Sequence, residues 1–112
     1  MNFEEISMEK VHRISAKEAK ENLKNNYDIL LIDVREFMEF NNDGHIEGAE
    51  LIPIGDFEKD IEELNIEKDR TIYVYCRSGA RSEVAATILA LKGYSNVYNI
   101  GGILDWPYEL VK

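Results

Sequence analysis

The sequence is poor in the residues that bind metals and form covalent cross-links. It contains one cysteine, Cys76, and two histidines, His12 and His45. A single cysteine cannot form an internal disulfide, and these three side chains do not have the spacing of a structural zinc site. The sequence therefore predicts neither a disulfide framework nor a metal centre, and no motif in it indicates a cofactor.

Long apolar runs and an excess of basic residues are also missing. No apolar stretch approaches the roughly 20 residues that span a bilayer, so no membrane helix is expected. The N-terminal segment contains Glu4 and Glu5 and lacks the basic start of a secretory signal, so the expected compartment is the cytoplasm. Thirteen basic and 22 acidic residues give a net charge of −9, which argues against a nucleic-acid partner. The acidic residues indicate either a solvated surface or a docking face for a basic protein.

The sequence does contain many apolar residues, and they are arranged in short, strand-like runs. Its 112 residues are 45% apolar, which is enough for one domain over residues 1–112. Residues 28–34 and 71–75 are nearly continuous in apolar or β-branched side chains, as is typical of buried parallel strands. A third short strand is predicted at 96–100, and weaker ones at 11–14 and 50–52.

Helical segments are predicted between these strands. Ser15 and Glu18 form a capping-box pattern that begins a helix ending near Asn25. Asp56 is positioned to cap a second helix, whose apolar face would consist of Phe57, Ile61 and Leu64.

A third helix is predicted from an apolar stripe after the second buried strand. Val84, Ile88 and Leu91 form this stripe at helical spacing, with Ala85 and Leu89 beside it, and Gly93 is expected to end the helix in a left-handed conformation. Because strands and helices alternate, we expect an α/β domain with a parallel sheet covered on both faces. Ligands of such sheets bind beyond the carboxyl ends of the strands, which is where Cys76 falls.

The segment after the second buried strand carries the most chemical information. It is composed, in order, of Cys76, Arg77, Ser78, Gly79, Ala80, Arg81 and Ser82. The amides at the start of the following helix favour negative charge, and the small residues allow successive N–H groups to face one centre. The two arginines add fixed positive charge. The pattern therefore predicts an anion-binding loop.

A thiol in such a loop is expected to ionise below its usual pKa, and the thiolate is the reactive form. The alternative interpretation is that Cys76 is a small buried core residue, and the reactive interpretation requires that solvent can reach the thiol. No histidine lies within the loop, but a thiolate attacking sulfur needs no general base. Because there is no second cysteine, any sulfur bound at Cys76 must pass to another molecule.

Four short elements follow one another along the chain, at residues 33–36, 44–53, 76–82 and 101–106. They read Asp-Val-Arg-Glu, Gly-His-Ile-Glu-Gly-Ala-Glu-Leu-Ile-Pro, the cysteine loop, and Gly-Gly-Ile-Leu-Asp-Trp. Together they resemble the rhodanese family, and the resemblance covers about residues 11–106. The sequence departs from the family pattern at Phe37 and Glu47, where proline is common in that family.

The resemblance implies a single rhodanese-like domain, with a five-stranded parallel sheet flanked by helices, that acts as a sulfurtransferase. Cys76 would take a sulfane sulfur from thiosulfate or a similar donor and pass the persulfide sulfur to cyanide or a thiol. The amides of residues 77–82 would cradle the donor, and Arg77 and Arg81 would orient its oxygens. The loop from Cys76 to Arg81 has six residues. Related phosphatases and arsenate reductases have a loop one residue longer, so the shorter loop favours sulfur transfer.

Two further functions remain open from the sequence. The protein could be a persulfide carrier that delivers sulfur to a protein partner, which the net charge of −9 favours. It could also be a non-catalytic regulatory module, although such modules commonly lose the cysteine.

The remaining motif residues have mainly structural interpretations. Asp33 and Arg35 are expected to form a structural ion pair rather than an acid–base pair. His45 is expected to be a hydrogen-bonded loop residue rather than a proton shuttle. Gly101 and Gly102 are interpreted as turn residues near the cradle.

Aromatic residues are also interpreted as packing residues. Trp106 is expected to pack in the core from a terminal helix, together with Ile103 and Leu110. Tyr73 and Tyr75 are expected on the sheet face opposite to that of Cys76 and its alternate neighbours.

Overall fold

The computed structural model describes Glu5 and residues 10–112. Its five strands are β1 His12–Arg13, β2 Leu30–Asp33, β3 Glu50–Leu51, β4 Thr71–Cys76 and β5 Asn96–Gly102. They form one sheet in the order β1-β5-β4-β2-β3, and every neighbouring pair is parallel. The predicted five-stranded parallel α/β fold is confirmed.

Within residues 10–112, helices connect the strands as expected of right-handed crossovers. They are α1 Ala16–Asn25, α2 Phe37–Asn42, α3 Phe57–Glu63 and α4 Ala80–Leu91, with 3₁₀ turns at Ile54–Asp56 and Ile103–Asp105. In the part of the chain that the structure describes, no helix has both the length and the apolar character needed to cross a bilayer.

The sheet separates two apolar clusters, so its two faces are both covered. On β4, Ile72, Val74 and Cys76 point into the cluster that α3 and α4 cover. Tyr73 and Tyr75 point into the other cluster, which includes residues of α1. This alternation along β4 confirms the prediction made from the period of two in a strand.

The buried face of α4 differs from the predicted one. Val84 and Leu91 are 40% and 64% exposed, so only Ile88 of the predicted stripe packs against the core. Ala85 and Leu89, expected beside the stripe, are buried together with Ser82, Ala86 and Thr87. Small side chains allow the helix to lie close to the sheet, whereas the prediction gave priority to the larger apolar residues.

The predicted helix ends are confirmed at Ser15 and Gly93 but not at Asp56. The Ser15 hydroxyl accepts a hydrogen bond from the Glu18 amide at 3.1 Å, and Gly93 has a left-handed φ of 96°. Asp56 occupies the N-cap position of α3, but its side chain makes no capping hydrogen bond because a 3₁₀ turn precedes the helix. Leu64, assigned to the apolar face of this helix, is 53% exposed.

The C-terminal segment packs as expected but without the predicted terminal helix. Trp106 is 8% exposed and lies in the same cluster as Tyr73 and Tyr75. Only the 3₁₀ turn Ile103–Asp105 precedes it, and Leu110 is 37% exposed. The assignment of Leu110 to the core was wrong.

Candidate active site

The candidate site is the short loop that joins β4 to α4. Strand β4 ends at Cys76 and α4 begins at Ala80, so the chain reverses within three residues. Gly79 caps the helix with a φ of 103°, a conformation that L side chains rarely adopt. The register between β4 and β5 is irregular between Val74 and Cys76. Such irregularities change the direction in which a side chain at the end of a strand points.

The sulfur of Cys76 accepts hydrogen bonds from the loop that folds over it. The Gly79 amide donates to Sγ at 3.0 Å, and the Ser82 hydroxyl lies 3.5 Å from Sγ. Burial alone would raise the pKa of the thiol. The hydroxyl and amide of Ser82 and the amides of Gly79 and Ser78 together outweigh that effect, so the pKa of Cys76 is lowered.

Cys76 is far less accessible than a surface nucleophile. The residue is 1% exposed and belongs to the apolar cluster that α3 and α4 cover. Its sulfur is nevertheless in contact with polar loop groups rather than surrounded by hydrocarbon. A donor larger than a water molecule can therefore reach Sγ only when the loop groups above it move.

Asn99 supports the loop from below, and the sequence interpretation missed this residue. Its side-chain oxygen accepts from the Ser82 hydroxyl at 2.8 Å and from the Gly101 amide at 3.0 Å. Its side-chain nitrogen donates to a Glu83 carboxylate oxygen at 2.9 Å, which fixes the orientation of the amide group. Asn99 lies in β5, so only the sheet order β5-β4 brings it beside the cysteine loop.

Gly101 and Gly102 lie at the end of β5, directly beside the loop, and are strand residues rather than turn residues. A Cβ at position 102 would lie 2.2 Å from the Arg77 carbonyl oxygen and 2.5 Å from the Ser78 Cα. Only glycine allows this close approach. The Leu104 amide then donates to the same Arg77 carbonyl at 3.1 Å and fixes the first residue of the loop.

The two loop arginines have different surroundings. Arg77 is exposed and forms no ion pair with any described residue. Arg81 forms a two-pronged ion pair with Glu39 of α2, with N–O distances of 2.7 and 2.8 Å. The hydrogen bond from Arg81 lowers the pKa of Glu39 to about 2, so this carboxylate is charged at neutral pH. Nothing in the sequence alone indicates that Arg81 has this partner.

Three further motif residues make structural contacts away from the sulfur: Asp33, Arg35 and His45. Asp33 and Arg35 form a fully buried ion pair at 2.8 Å, and Arg35 also donates to the Gly44 carbonyl at 2.7 Å. His45 stacks on Phe40 and its Nδ1 lies 3.0 Å from the Phe40 carbonyl. None of their hydrogen bonds within the described residues reaches residues 76–82. These contacts match their structural interpretation and hold α2 beside the loop.

This combination of fold and loop agrees with the comparisons with known proteins. The family model described as "Rhodanese-like domain" matches residues 15–108. The chain belongs to the rhodanese family. A sulfurtransferase of Allochromatium vinosum is 37% identical over 97 residues, which cover 86% of this chain and 88% of that protein.

Two further relatives support the membership. The "Putative sulfur carrier protein YrkF" of Bacillus subtilis is 38% identical over 97 residues, which are 86% of this chain but only 51% of that protein. The rhodanese-like chain thus spans about half of the length of YrkF. The crystal structure of a rhodanese-related protein from Thermoplasma volcanium superposes with a TM-score of 0.76 at 31% identity, covering 89% of this chain and 97% of that one.

Within this rhodanese-like domain the cysteine loop is the candidate site. A surface groove of about 600 Å³ lies beside the edge strand β3, but none of residues 76–82 lines it. The loop lies at the carboxyl end of β4, where parallel sheets bind ligands, and it surrounds a sulfur with hydrogen-bond donors. The relatives named above are a sulfurtransferase and a protein named as a putative sulfur carrier.

Proposed function

We propose that the protein is a sulfurtransferase in which Cys76 carries a sulfane sulfur as a persulfide. The observation that carries this proposal is the set of donors around Sγ. The Gly79 amide lies at 3.0 Å and the Ser82 hydroxyl at 3.5 Å, and their hydrogen bonds lower the pKa of the thiol. A thiolate held by hydrogen-bond donors in a helix-terminal loop is suited to attack on sulfur.

The first half-reaction transfers sulfur without any external oxidant. The Cys76 thiolate forms a bond to the sulfane sulfur of thiosulfate or a similar donor, and the donor bond to that sulfur breaks. The electron pair of the broken bond leaves with sulfite, or with a thiolate when the donor is an organic persulfide. Cys76 then holds the transferred sulfur as a persulfide.

The second half-reaction needs a separate acceptor. The sequence has no other cysteine, so the persulfide cannot be resolved within this chain. Cyanide or a cellular thiol would attack the terminal sulfur and release the Cys76 thiolate.

Mass spectrometry of the intact protein tests the proposal directly. Incubation with thiosulfate, or with an organic persulfide, should add one sulfur atom, and a reducing thiol should remove it. The Cys76→Ser variant provides the control and should gain no mass. If no sulfane donor increases the mass of the wild-type protein, the proposal is wrong.

A second candidate function is that of a dedicated carrier that delivers the sulfur to a protein. The similarity to YrkF, which is named as a sulfur carrier, and the net charge of −9 favour this candidate. A negative protein attracts basic partners and repels small anions such as thiosulfate. In this case the persulfide forms as above, but turnover with small acceptors is slow.

A further inference from the structure

One charged group beside the loop has no part in the reaction described so far. Glu39 lies in the first turn of α2, and both of its carboxylate oxygens accept from Arg81. Its Oε1 also accepts from the Glu36 amide at 3.1 Å. The carboxylate is thus fixed by three hydrogen bonds at the edge of the sulfur site.

This ion pair changes the charge that a donor meets. Arg77 and Arg81 bring two positive charges to the loop, while Glu39 and the Cys76 thiolate bring two negative charges. The Glu36 carboxylate adds to the negative field around Arg81 from further away. Among the residues that the structure describes, the loop therefore presents amide dipoles and one guanidinium without an ion-pair partner, that of Arg77, rather than two free cations.

Withdrawing Arg81 from Glu39 would be costly. The two side chains are 34% and 23% exposed, so the pair is partly shielded from water and is stronger than a fully exposed pair. If Arg81 turned towards an incoming dianion, Glu39 would be left as a carboxylate without its partner beside a second negative charge. A donor that carries less charge avoids this cost.

We infer that Glu39 is a specificity-determining residue that makes the site favour organic hydropersulfides over the thiosulfate dianion as sulfur donors. This inference rests on the proposed function and specifies its donor. The Cys76 thiolate bonds to the terminal sulfur of R–S–S–H, the S–S bond breaks, and the electron pair leaves with the thiolate RS⁻. The terminal proton stays on the transferred sulfur, so atoms and charge balance.

The test compares the rates at which two donors load sulfur onto the protein. Thiosulfate and the hydropersulfide of 2-mercaptoethanol, which has no charged group besides its sulfur, are each mixed with reduced protein. The gain of one sulfur atom is followed by mass spectrometry to give a second-order rate constant for each donor. We expect the wild-type protein to load faster from the hydropersulfide.

Neutralising Glu39 should change the ratio of the two rate constants. In Glu39→Gln, Arg81 is released from a charged partner, so loading from thiosulfate should rise about tenfold while loading from the hydropersulfide changes by less than about threefold. Glu36→Gln is the matched control, because it removes the same charge from the same segment without touching the Arg81 guanidinium. It should change the ratio by less than about twofold. Circular dichroism establishes that each variant is folded, and Glu39→Ala provides a second neutral variant.

A double-mutant cycle shows whether Glu39 acts through the arginine. In an Arg81→Gln background, Glu39→Gln should no longer increase loading from thiosulfate. An unchanged ratio in Glu39→Gln, an equal change in Glu36→Gln, or the same increase without Arg81 would each overturn the inference. These outcomes differ from failure of the proposed function, in which neither donor adds sulfur to the wild-type protein.

Discussion

At the level of single residues, the Ser82 hydroxyl has one proton and several acceptors within reach. The Asn99 side-chain oxygen lies at 2.8 Å, the Gly79 carbonyl at 3.0 Å and Sγ of Cys76 at 3.5 Å. While Cys76 is a neutral thiol, it can donate to the Ser82 oxygen. Once the thiolate forms, rotation of the hydroxyl turns its proton towards the sulfur, so Ser82 adapts to both ionisation states.

Removing this hydroxyl should make the thiol less acidic. In Ser82→Ala the sulfur loses a hydrogen bond that lowers its pKa, while the burial that raises the pKa remains. The rate of alkylation by a small reagent rises with pH as the thiolate forms, so the midpoint of that curve should move to higher pH than in the wild-type protein.

Ser78→Ala is a suitable control for the titration. Ser78 acts on the sulfur through its backbone amide, which the substitution leaves in place. The midpoint of the alkylation curve of Ser78→Ala should therefore equal that of the wild-type protein. If Ser82→Ala also keeps the wild-type midpoint, the hydroxyl does not stabilise the thiolate.

At the level of elements, the end of β5 and the cysteine loop depend on one glycine. Any side chain at position 102 would occupy the space of the Arg77 carbonyl and the Ser78 backbone. These are backbone atoms and cannot move aside as a flexible side chain would. The loop and the strand can therefore adopt their present distance only with glycine at this position.

Gly102→Ala should distort the loop and destabilise the fold by about 3 kcal/mol, because the overlap forces backbone displacement. Chemical denaturation measures the loss, and the pH dependence of alkylation shows whether the thiol is still acidic. Gly55→Ala is the control, since a Cβ there meets no atom within 4 Å and the residue has no positive φ. Its free energy of unfolding should stay within about 0.5 kcal/mol of wild type. Equal stability of both variants would contradict the argument.

The sequence was a good guide to the strands and a weaker one to the helix faces. Strands β2 and β4 are apolar enough on both faces to be recognised, and the short β1 and β3 were located within two residues. The face of α4 was assigned only in part, because Ser82 is polar and Ala86 is small, so neither contributes strongly to an apolar pattern. Helix α2 was missed because six residues are too few to show a helical period.

At the level of the whole molecule, the cysteine loop was predictable and its supports were not. Residues 76–82 are contiguous, so their chemistry can be read from one segment. Glu39 and Asn99 come from other segments, and only the folded sheet brings them to the loop. A single sequence contains no signal that pairs Arg81 with a carboxylate 42 positions away.

The net charge of −9 gives a prediction about salt. Repulsion of thiosulfate by the whole molecule weakens as added salt screens it, so loading from thiosulfate should become faster between low and physiological ionic strength. Transfer of the sulfur to a basic protein should become slower over the same range, because attraction is screened too. Stopped-flow loading and transfer assays at several salt concentrations measure both trends.

An uncharged acceptor such as 2-mercaptoethanol gives the reference for these assays, since its rate should vary little with salt. If loading from thiosulfate instead slows as salt is added, the local charge of Arg77 outweighs that of the whole molecule. That result would remove the electrostatic support for the carrier function.

The near-complete burial of Cys76 also affects how the protein withstands oxidants. Hydrogen peroxide oxidises thiolates to sulfenic acid, and then irreversibly to sulfinic and sulfonic acids. Cys76 is 1% exposed, so we expect that the loop groups must move before a peroxide molecule can contact its sulfur, as they must for a donor. We therefore expect loop movement, rather than the intrinsic reactivity of the thiolate, to limit how fast oxidants inactivate the protein.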